Sequence, residues 1–169
     1  MLQLGKAPPN DLTGLLLACH GNIRTFTALA LTLAQRPTLN DAEAGDVAAR
    51  CLRYFRDGLP LHVEDEDASV WPALLREGVE RGAVLERLRA QHDEHHAAIA
   101  ALVDQLAAVV AAPGDRAART ALLGPANALK DALEPHLLLE EREVFPLLAR
   151  LPAEIQARLV SELRARRQR

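Results

Sequence analysis

Two short stretches of the sequence place a histidine and a glutamate at the same spacing. The first reads HVEDEDASVWP from His62, and the second reads HLLLEEREVFP from His136. In each stretch a glutamate follows the histidine by four residues, at Glu66 and Glu140, and an aromatic residue followed by proline comes five residues later. Residues four apart lie on the same face of a helix, so each pair would present an imidazole and a carboxylate together. The near-duplication favours a shared chemical role over two separate ion pairs on a solvated surface.

Two further segments carry histidines that fit the same role. The stretch HDEHH contains His92 and His96, four residues apart, with His95 as a rival to His96 at a spacing of three. His20 lies on an apolar stripe of its own segment. Imidazoles and carboxylates buried among apolar residues are costly unless each has a partner. A metal pair is such a partner, because it neutralises carboxylates and binds imidazole lone pairs.

Five imidazoles and two carboxylates, without a thiolate, indicate which metals the sequence could hold. This donor set suits iron, manganese or zinc better than copper(I) or an iron–sulfur cluster. Two six-coordinate ions joined by both carboxylates and by an oxo or hydroxo bridge would be saturated except for one position. One open position suits the binding of a small diatomic molecule or a peroxide. The residues therefore predict a two-metal centre that meets a small oxidant.

The elements that must position these residues are helical. Apolar residues recur at three- and four-residue steps, and no segment alternates with period two over a useful length. Turn and capping signals divide the chain into four long helices and a short last one, at about residues 11–36, 40–76, 82–112, 116–149 and from 151 onward. Gly58 and Pro60 predict a kink midway along the second helix. We expect an all-α fold, with residues 1–169 forming one up-down-up-down four-helix bundle and a short C-terminal helix.

Composition and charge exclude several classes of partner. The 169 residues carry a net charge of −3 with both signs interspersed, which gives no electrostatic reason to bind nucleic acid or an anionic membrane. We expect no secretory signal, and the longest apolar stretch, residues 97–112, is too short to span a bilayer. Cys19 and Cys51 lack CxxC spacing and fit a reducing compartment. We expect a cytoplasmic monomer or homodimer whose basic last helix ends in solvent.

The order of these elements resembles the hemerythrin-like (HHE cation-binding) family. The resemblance rests on LACHGNIRTF around His20, on YFRDGLPLHVEDED leading to VWPAL, on HDEHH and on HLLLEEREVFPLL. It extends over nearly the whole chain, from about residue 11 to residue 150. The resemblance implies a four-helix bundle around a non-haem di-iron centre.

The resemblance also assigns the ligands. His20 and His62 would hold one iron, and the other iron would be held by His92, His96 and His136. Glu66 and a carboxylate of the fourth helix would bridge the two irons. Oxygen-carrying members place that carboxylate five residues after the histidine, which here is Glu141. Helix geometry and the internal repeat favour Glu140 instead, so both glutamates are candidates.

The resulting hypotheses differ in the chemistry at the open position. The leading one is a cytoplasmic non-haem di-iron protein that binds dioxygen or a related small oxidant for storage, sensing or detoxification. A second is an enzyme that turns over peroxide or nitric oxide at the same centre. A third is a metal-free or zinc-holding bundle that docks a partner protein. Zinc or manganese in place of iron also stays open, because the donor set suits both.

Overall fold

The computed structural model describes residues 10–36, 38–79 and 82–168, which form helices joined by short turns. Helix α1 is Leu12–Gln35. Helix α2 consists of Asp41–Arg53, Tyr54–Gly58, Leu59–Glu64, Asp65–Val70 and Trp71–Arg76 in unbroken succession. Helix α3 is Ala83–Ala111. Helix α4 consists of Arg116–Ala121, Leu123–Leu139, Glu140–Val144 and Phe145–Leu148. Helix α5 is Ala153–Arg166.

Three of these segments are π-helical, namely Tyr54–Gly58, Asp65–Val70 and Glu140–Val144. A π-helical turn holds one residue more than an α-helical hydrogen-bonded turn and so rotates the residues that follow it. The first of these segments ends at Gly58, where the sequence predicts a kink or break, so the regular α-helix is interrupted there. Pro60 lies in the first turn of the α-helical segment that follows, where the missing backbone N–H is tolerated.

Two apolar clusters fill the interior, and each receives buried side chains from all four long helices. The first apolar cluster is built around Ile23, Phe55, Leu106 and Leu129. The second apolar cluster is built around Leu16, Trp71, Leu88 and Phe145, and it also receives Leu159 and Leu163 of α5. A layer of buried histidines and glutamates separates the two clusters along every long helix.

The order of the clusters along the chain establishes the topology. Helix α1 passes from the second cluster to the first, α2 from the first to the second, α3 from the second to the first, and α4 from the first to the second. Each long helix packs against two others, in the cyclic order α1, α2, α3, α4. The expected all-α, up-down-up-down four-helix bundle with a short last helix is therefore confirmed.

The ends of the helices show why the chain turns where it does. The side chain of Asp11 accepts a hydrogen bond from the backbone N–H of Gly14, and Asn40 caps α2 in the same way. Between α2 and α3 the chain uses Gly78 and Gly82 at φ 64° and 101°, a left-handed conformation that side chains disfavour. Over the described ranges, no helix combines the length and the apolar character needed to cross a membrane.

Candidate metal centre

The polar layer in the middle of the bundle collects one or more buried groups from each long helix. Two overlapping groups of donors form there: His20, His62, Glu66 and Glu140 make the first group, and Glu66, His92, His136 and Glu140 make the second group. Within each group the donor atoms lie within 4.8 Å of one another, and every member is buried. Six of the residues predicted from the sequence therefore meet at one place.

Both groups share the two glutamates. Each glutamate directs one oxygen toward the first group and the other oxygen toward the second group. Glu140 Oε2 lies 3.1 Å from His20 Nε2, and its Oε1 lies 3.2 Å from His136 Nε2. Glu66 Oε1 lies 3.5 Å from His62 Nε2, and its Oε2 lies 3.4 Å from His92 Nε2. Each group thus offers two imidazole nitrogens and two carboxylate oxygens, with both carboxylates placed to bridge two cations.

The hydrogen bonding of this layer is incomplete in a way that fits a metal centre. Among the described residues, buried polar atoms without a hydrogen-bond partner occur on His20, His62, Glu66, His95 and Glu140, and they include all four carboxylate oxygens. Leaving buried polar atoms unsatisfied costs about 1–3 kcal/mol each, and more for charged groups. Cations at the two positions would satisfy these atoms, so the residues fit the di-metal site that the sequence predicts.

Glu141, the alternative bridging residue, lies behind His20 rather than in either group. His20 Nδ1 donates to Glu141 Oε1 at 2.8 Å, and Arg24 donates to the same oxygen at 2.8 Å. Arg24 also binds Glu134 through two of its nitrogens, at 3.1–3.2 Å. Burial alone would raise the pKa of Glu141, but the hydrogen bonds from Arg24 and His20 outweigh burial and hold that pKa below its usual range. Glu141 therefore fixes the His20 tautomer with the Nε2 lone pair facing Glu140.

The second group has the same kind of support. His92 Nδ1 lies 3.3 Å from Asp67 Oδ2, and His136 Nδ1 lies 3.0 Å from Gln91 Oε1. Because each outer nitrogen faces an oxygen acceptor, each ring donates through Nδ1 and presents Nε2 to the carboxylates. The sequence did not reveal these partners, since Asp67 and Gln91 become neighbours of the histidines only through packing between helices.

The structure brings His95, and not His96, to the polar layer. His95 is 7 % exposed, and its ring centroid lies 5.2 Å from that of His136. His96 is exposed, and neither donor group includes it. Positions three and four residues after His92 lie on either side of the direction that His92 faces, so periodicity alone does not choose between them. The rotation of α3 within the bundle turns His95 toward the layer and leaves the expected His96 exposed, and neither histidine belongs to the two donor groups.

Burial and neighbouring charges set the protonation of the imidazoles. Burial lowers the pKa of His62 to about 3 and that of His95 to about 4, so both are neutral at pH 7 and able to bind a cation. Burial alone would lower the pKa of His92, but the hydrogen bond to Asp67 and the nearby carboxylate of Glu66 outweigh burial and raise the pKa to about 9. A metal at the second group would therefore displace a proton from His92.

The two carboxylates respond in opposite directions to the same environment. Burial raises the pKa of Glu66 well above its usual range, and the charge of Glu140 adds to that shift. Burial also raises the pKa of Glu140, but contacts with His136 and His20 hold it below its usual range. Without a cation the pair thus favours one protonated and one ionised carboxyl group, as expected for two acids that share a buried site.

The π-helical segments explain why the repeated aromatic–proline pairs contact the polar layer. An aromatic residue nine positions after a histidine would lie about half a turn away from it on an ideal α-helix. The π-helical segments Asp65–Val70 and Glu140–Val144 turn these aromatic residues back toward the polar layer. Trp71 stacks on His92 with a centroid distance of 5.0 Å, and Phe145 packs on His20 at 4.8 Å. The sequence predicted aromatic packing but not the π-helical turns that direct it.

A small cavity adjoins the second group of donors. It has a volume of about 20 Å³, and its walls include Ile23, Leu59, His62, Val63, His92, His95, His96, Ile99, Leu133, His136 and Leu137. This space suffices for about one water-sized molecule. A groove of about 290 Å³ between α1 and α4 shares three of these walls, namely Ile23, Leu133 and Leu137. The small cavity and the surface groove are therefore neighbours that share three apolar walls.

Comparison with known proteins agrees with this geometry. The family model described as Hemerythrin HHE cation binding domain matches residues 11–148, and a second match covers residues 93–166. No curated protein matches the chain. The first match spans all four long helices and every residue of both donor groups. The chain therefore belongs to the hemerythrin HHE cation-binding domain family.

Proposed function

We propose that the two donor groups hold two iron ions and that the protein binds dioxygen or a related small oxidant beside them, for storage, sensing or detoxification. The observation that carries this proposal is the sharing of Glu66 and Glu140, each with one oxygen toward each pair of histidines. Iron in such a site supplies the electrons that the binding of dioxygen requires. Two bridging carboxylates with terminal imidazoles are a donor set that iron accepts.

One donor beyond the two groups favours iron over zinc. Structural zinc is almost always four-coordinate, and the four donors of either group would satisfy it. His95 adds a further buried imidazole beside His136, and its Nδ1 has no hydrogen-bond partner among the described residues. This extra donor favours a metal of higher coordination number at the second group.

The residues around the centre support a small and weakly polar ligand. Ile23, Leu133 and Leu137 line both the small cavity and the surface groove, so a ligand that arrives from the groove meets apolar side chains and then a space that holds only a compact molecule. Apolar walls also exclude water, which strengthens electrostatic interactions within the centre. A diatomic molecule or a peroxide meets both requirements, whereas an organic substrate does not fit a volume of about 20 Å³.

The test is metal loading followed by exposure to oxygen. The protein is stripped with a chelator, loaded anaerobically with Fe²⁺, and analysed for iron per chain and for its visible spectrum before and after mixing with air. We expect two irons per chain and a new absorption band that oxygen removal reverses. His62→Ala and Glu140→Ala should lose iron, whereas the exposed His96→Ala should retain it. Fewer than one iron per chain would contradict the proposal.

The same experiment distinguishes the other hypotheses. Rapid multiple turnover of peroxide or nitric oxide in a stopped-flow instrument would identify an enzyme instead of a carrier or sensor. Retention of zinc with no visible band would favour a structural metal.

We also propose a cytoplasmic location, supported by two cysteines that are both free thiols. Neither nucleic acid nor a membrane is part of the proposed function.

A further inference from the structure

Two arginines at the end of α5 reach back to the helix that carries Glu66. Arg166 and Arg167 contact opposite oxygens of Asp65, and the contact from Arg167 measures 2.5 Å. Asp65 is 0 % exposed and immediately precedes Glu66. The end of α5, which the sequence predicts to lie in solvent, is therefore bound beside the metal centre.

The contacts of Arg166 extend to both sides of Glu66. Its Nε lies 2.9 Å from Glu64 Oε1, and its Nη2 donates to Ser69 Oγ at 3.0 Å. Ser69 and Asp65 belong to the π-helical segment Asp65–Val70, in which the Glu66 carbonyl accepts a hydrogen bond from the N–H of Trp71. Since a π-helical turn is a less common geometry than the α-helix, contacts on both sides of it help to hold Glu66 in one position.

Arg167 adds a second connection to the same group of donors. Its Nη2 lies 3.4 Å from Cys19 Sγ, and Cys19 immediately precedes His20. Arg167 therefore joins residues adjacent to His20, which only the first group contains, and to Glu66, which both groups share. The first group is thus supported through two of its members and the second group through Glu66 alone.

Stability alone is a weak explanation for this arrangement. Buried ion pairs lose hydration, and well-packed apolar residues often stabilise a fold as much or more. Helix α5 already has an apolar attachment through Leu159 and Leu163, which are buried in the second apolar cluster. The charged contacts supply what apolar packing does not, namely a fixed direction for Asp65 and for the backbone around it.

We propose that Arg166 and Arg167 are positioning residues for the cation of the first group, and that they act through Asp65, Ser69 and Cys19. The inference rests on the proposed binding of metal by the two groups and not on which small molecule binds there. Removing the arginines releases the π-helical segment and the end of α5 together. The first group should then lose affinity for its cation, while the second group, which has Asp67 and Gln91 behind its histidines, should change less.

The matched control is Arg119, a buried arginine at the other end of the bundle. It contacts Asp41 and donates to the backbone oxygens of Leu39 and Pro113, at 2.8 and 2.5 Å. Arg119→Gln removes a comparable set of contacts far from the polar layer. It should therefore lower the stability of the metal-free protein without a selective effect on either cation.

The experiment is a titration of the full, chelator-stripped chain with Co²⁺, followed by the visible absorption of bound cobalt and by calorimetry. Wild type should bind two equivalents. In the R166Q/R167Q double variant one equivalent should weaken by about 10–100-fold, the usual effect of removing a residue that orients a ligand. The other equivalent, which shares Glu66, should weaken less than the first, and both equivalents of R119Q should remain within about threefold of wild type. Unchanged binding in the double variant, or an equal loss in R119Q, would overturn the inference.

Two further variants keep the test decisive. If circular dichroism shows that the double variant is unfolded, Arg167→Lys and Ser69→Ala each remove part of the same contacts with less disturbance. Both variants should show a smaller weakening of the same equivalent of cobalt. If both bind cobalt as tightly as wild type, the inference is overturned. A wild-type protein that binds no cobalt overturns the proposed metal centre itself, and this outcome is distinct from unchanged binding in the variants.

Discussion

Replacing Glu66 by glutamine should separate the stability of the fold from its ability to hold metal. The side chain of Glu66 is 1 % exposed, and both of its oxygens lack a hydrogen-bond partner among the described residues. Glu140 lies in the same layer and carries a second buried carboxyl group. Without a cation, two carboxyl groups therefore share a buried site in which neighbouring imidazole nitrogens lie 3.1–3.5 Å from their oxygens. Glutamine has the same shape as glutamate but no charge.

The expected magnitudes follow from the cost of that burial. Burial and the charge of Glu140 disfavour the ionised form of Glu66, and glutamine has no charge to disfavour, so E66Q should stabilise the metal-free protein by about 1–3 kcal/mol, the usual size of the linkage effect of a perturbed carboxyl group. For a chain of this size 1 kcal/mol corresponds to about 2–4 °C in Tm, which predicts a rise of about 2–12 °C. In wild type, a cation present at a hundredfold excess over its Kd adds about 2.7 kcal/mol at each position. E66Q should lose most of this gain, because an amide does not bridge two cations.

The assay is thermal unfolding followed by circular dichroism, with chelator and with saturating Fe²⁺ or Co²⁺. We expect E66Q to melt higher than wild type in chelator and lower than wild type in metal. Glu94→Gln, at an exposed position on α3, is the matched control and should follow wild type in both conditions. If E66Q melts well below wild type in chelator and still rises with metal, the assignment of Glu66 as a bridging ligand is wrong.

The remaining predictions concern single residues around the same layer. Glu140→Ala should abolish binding of both cations, whereas Glu141→Gln should weaken only one by about 10–100-fold, as measured by cobalt titration. His95→Ala should lower the affinity for cobalt, and His96→Ala should leave it unchanged; the reverse result would restore the sequence-based choice. Burial raises the pKa of Cys51 to about 11, so its thiol should resist alkylation in the native protein and react faster only as the pH approaches that value. Mass spectrometry after timed alkylation measures this, and rapid native labelling at pH 8 would contradict the buried placement.

The sequence predicted the donors most reliably where two of them share one helix at a spacing of four. His62 with Glu66, and His136 with Glu140, are such pairs, and the structure places both in the polar layer. Helical periodicity is a local property, so it survives in any fold that keeps the helix intact. His20 has no such partner on its own helix, and only the matching groups elsewhere in the chain made it a candidate.

Where two neighbouring residues compete for one role, the sequence could not choose between them. His95 and His96 differ by about 100° around α3, and Glu140 and Glu141 differ similarly around α4. The choice depends on how each helix is rotated against its neighbours, and interdigitation of side chains across the bundle sets that rotation. In the structure His95 and Glu140 are buried in the polar layer, and Glu141 accepts a hydrogen bond from His20.

The amino-acid sequence by itself determined the helical class, the alternating direction of the long helices and most of the donors of a two-metal centre, because these depend on local periodicity and short turns. Tertiary structure alone decided the π-helical turns, the hydrogen-bond partners behind each histidine and the contact of Arg166 and Arg167 with Asp65. These features join residues far apart in the chain. Their energies depend on the packing of whole helices against one another, and no local pattern records that packing.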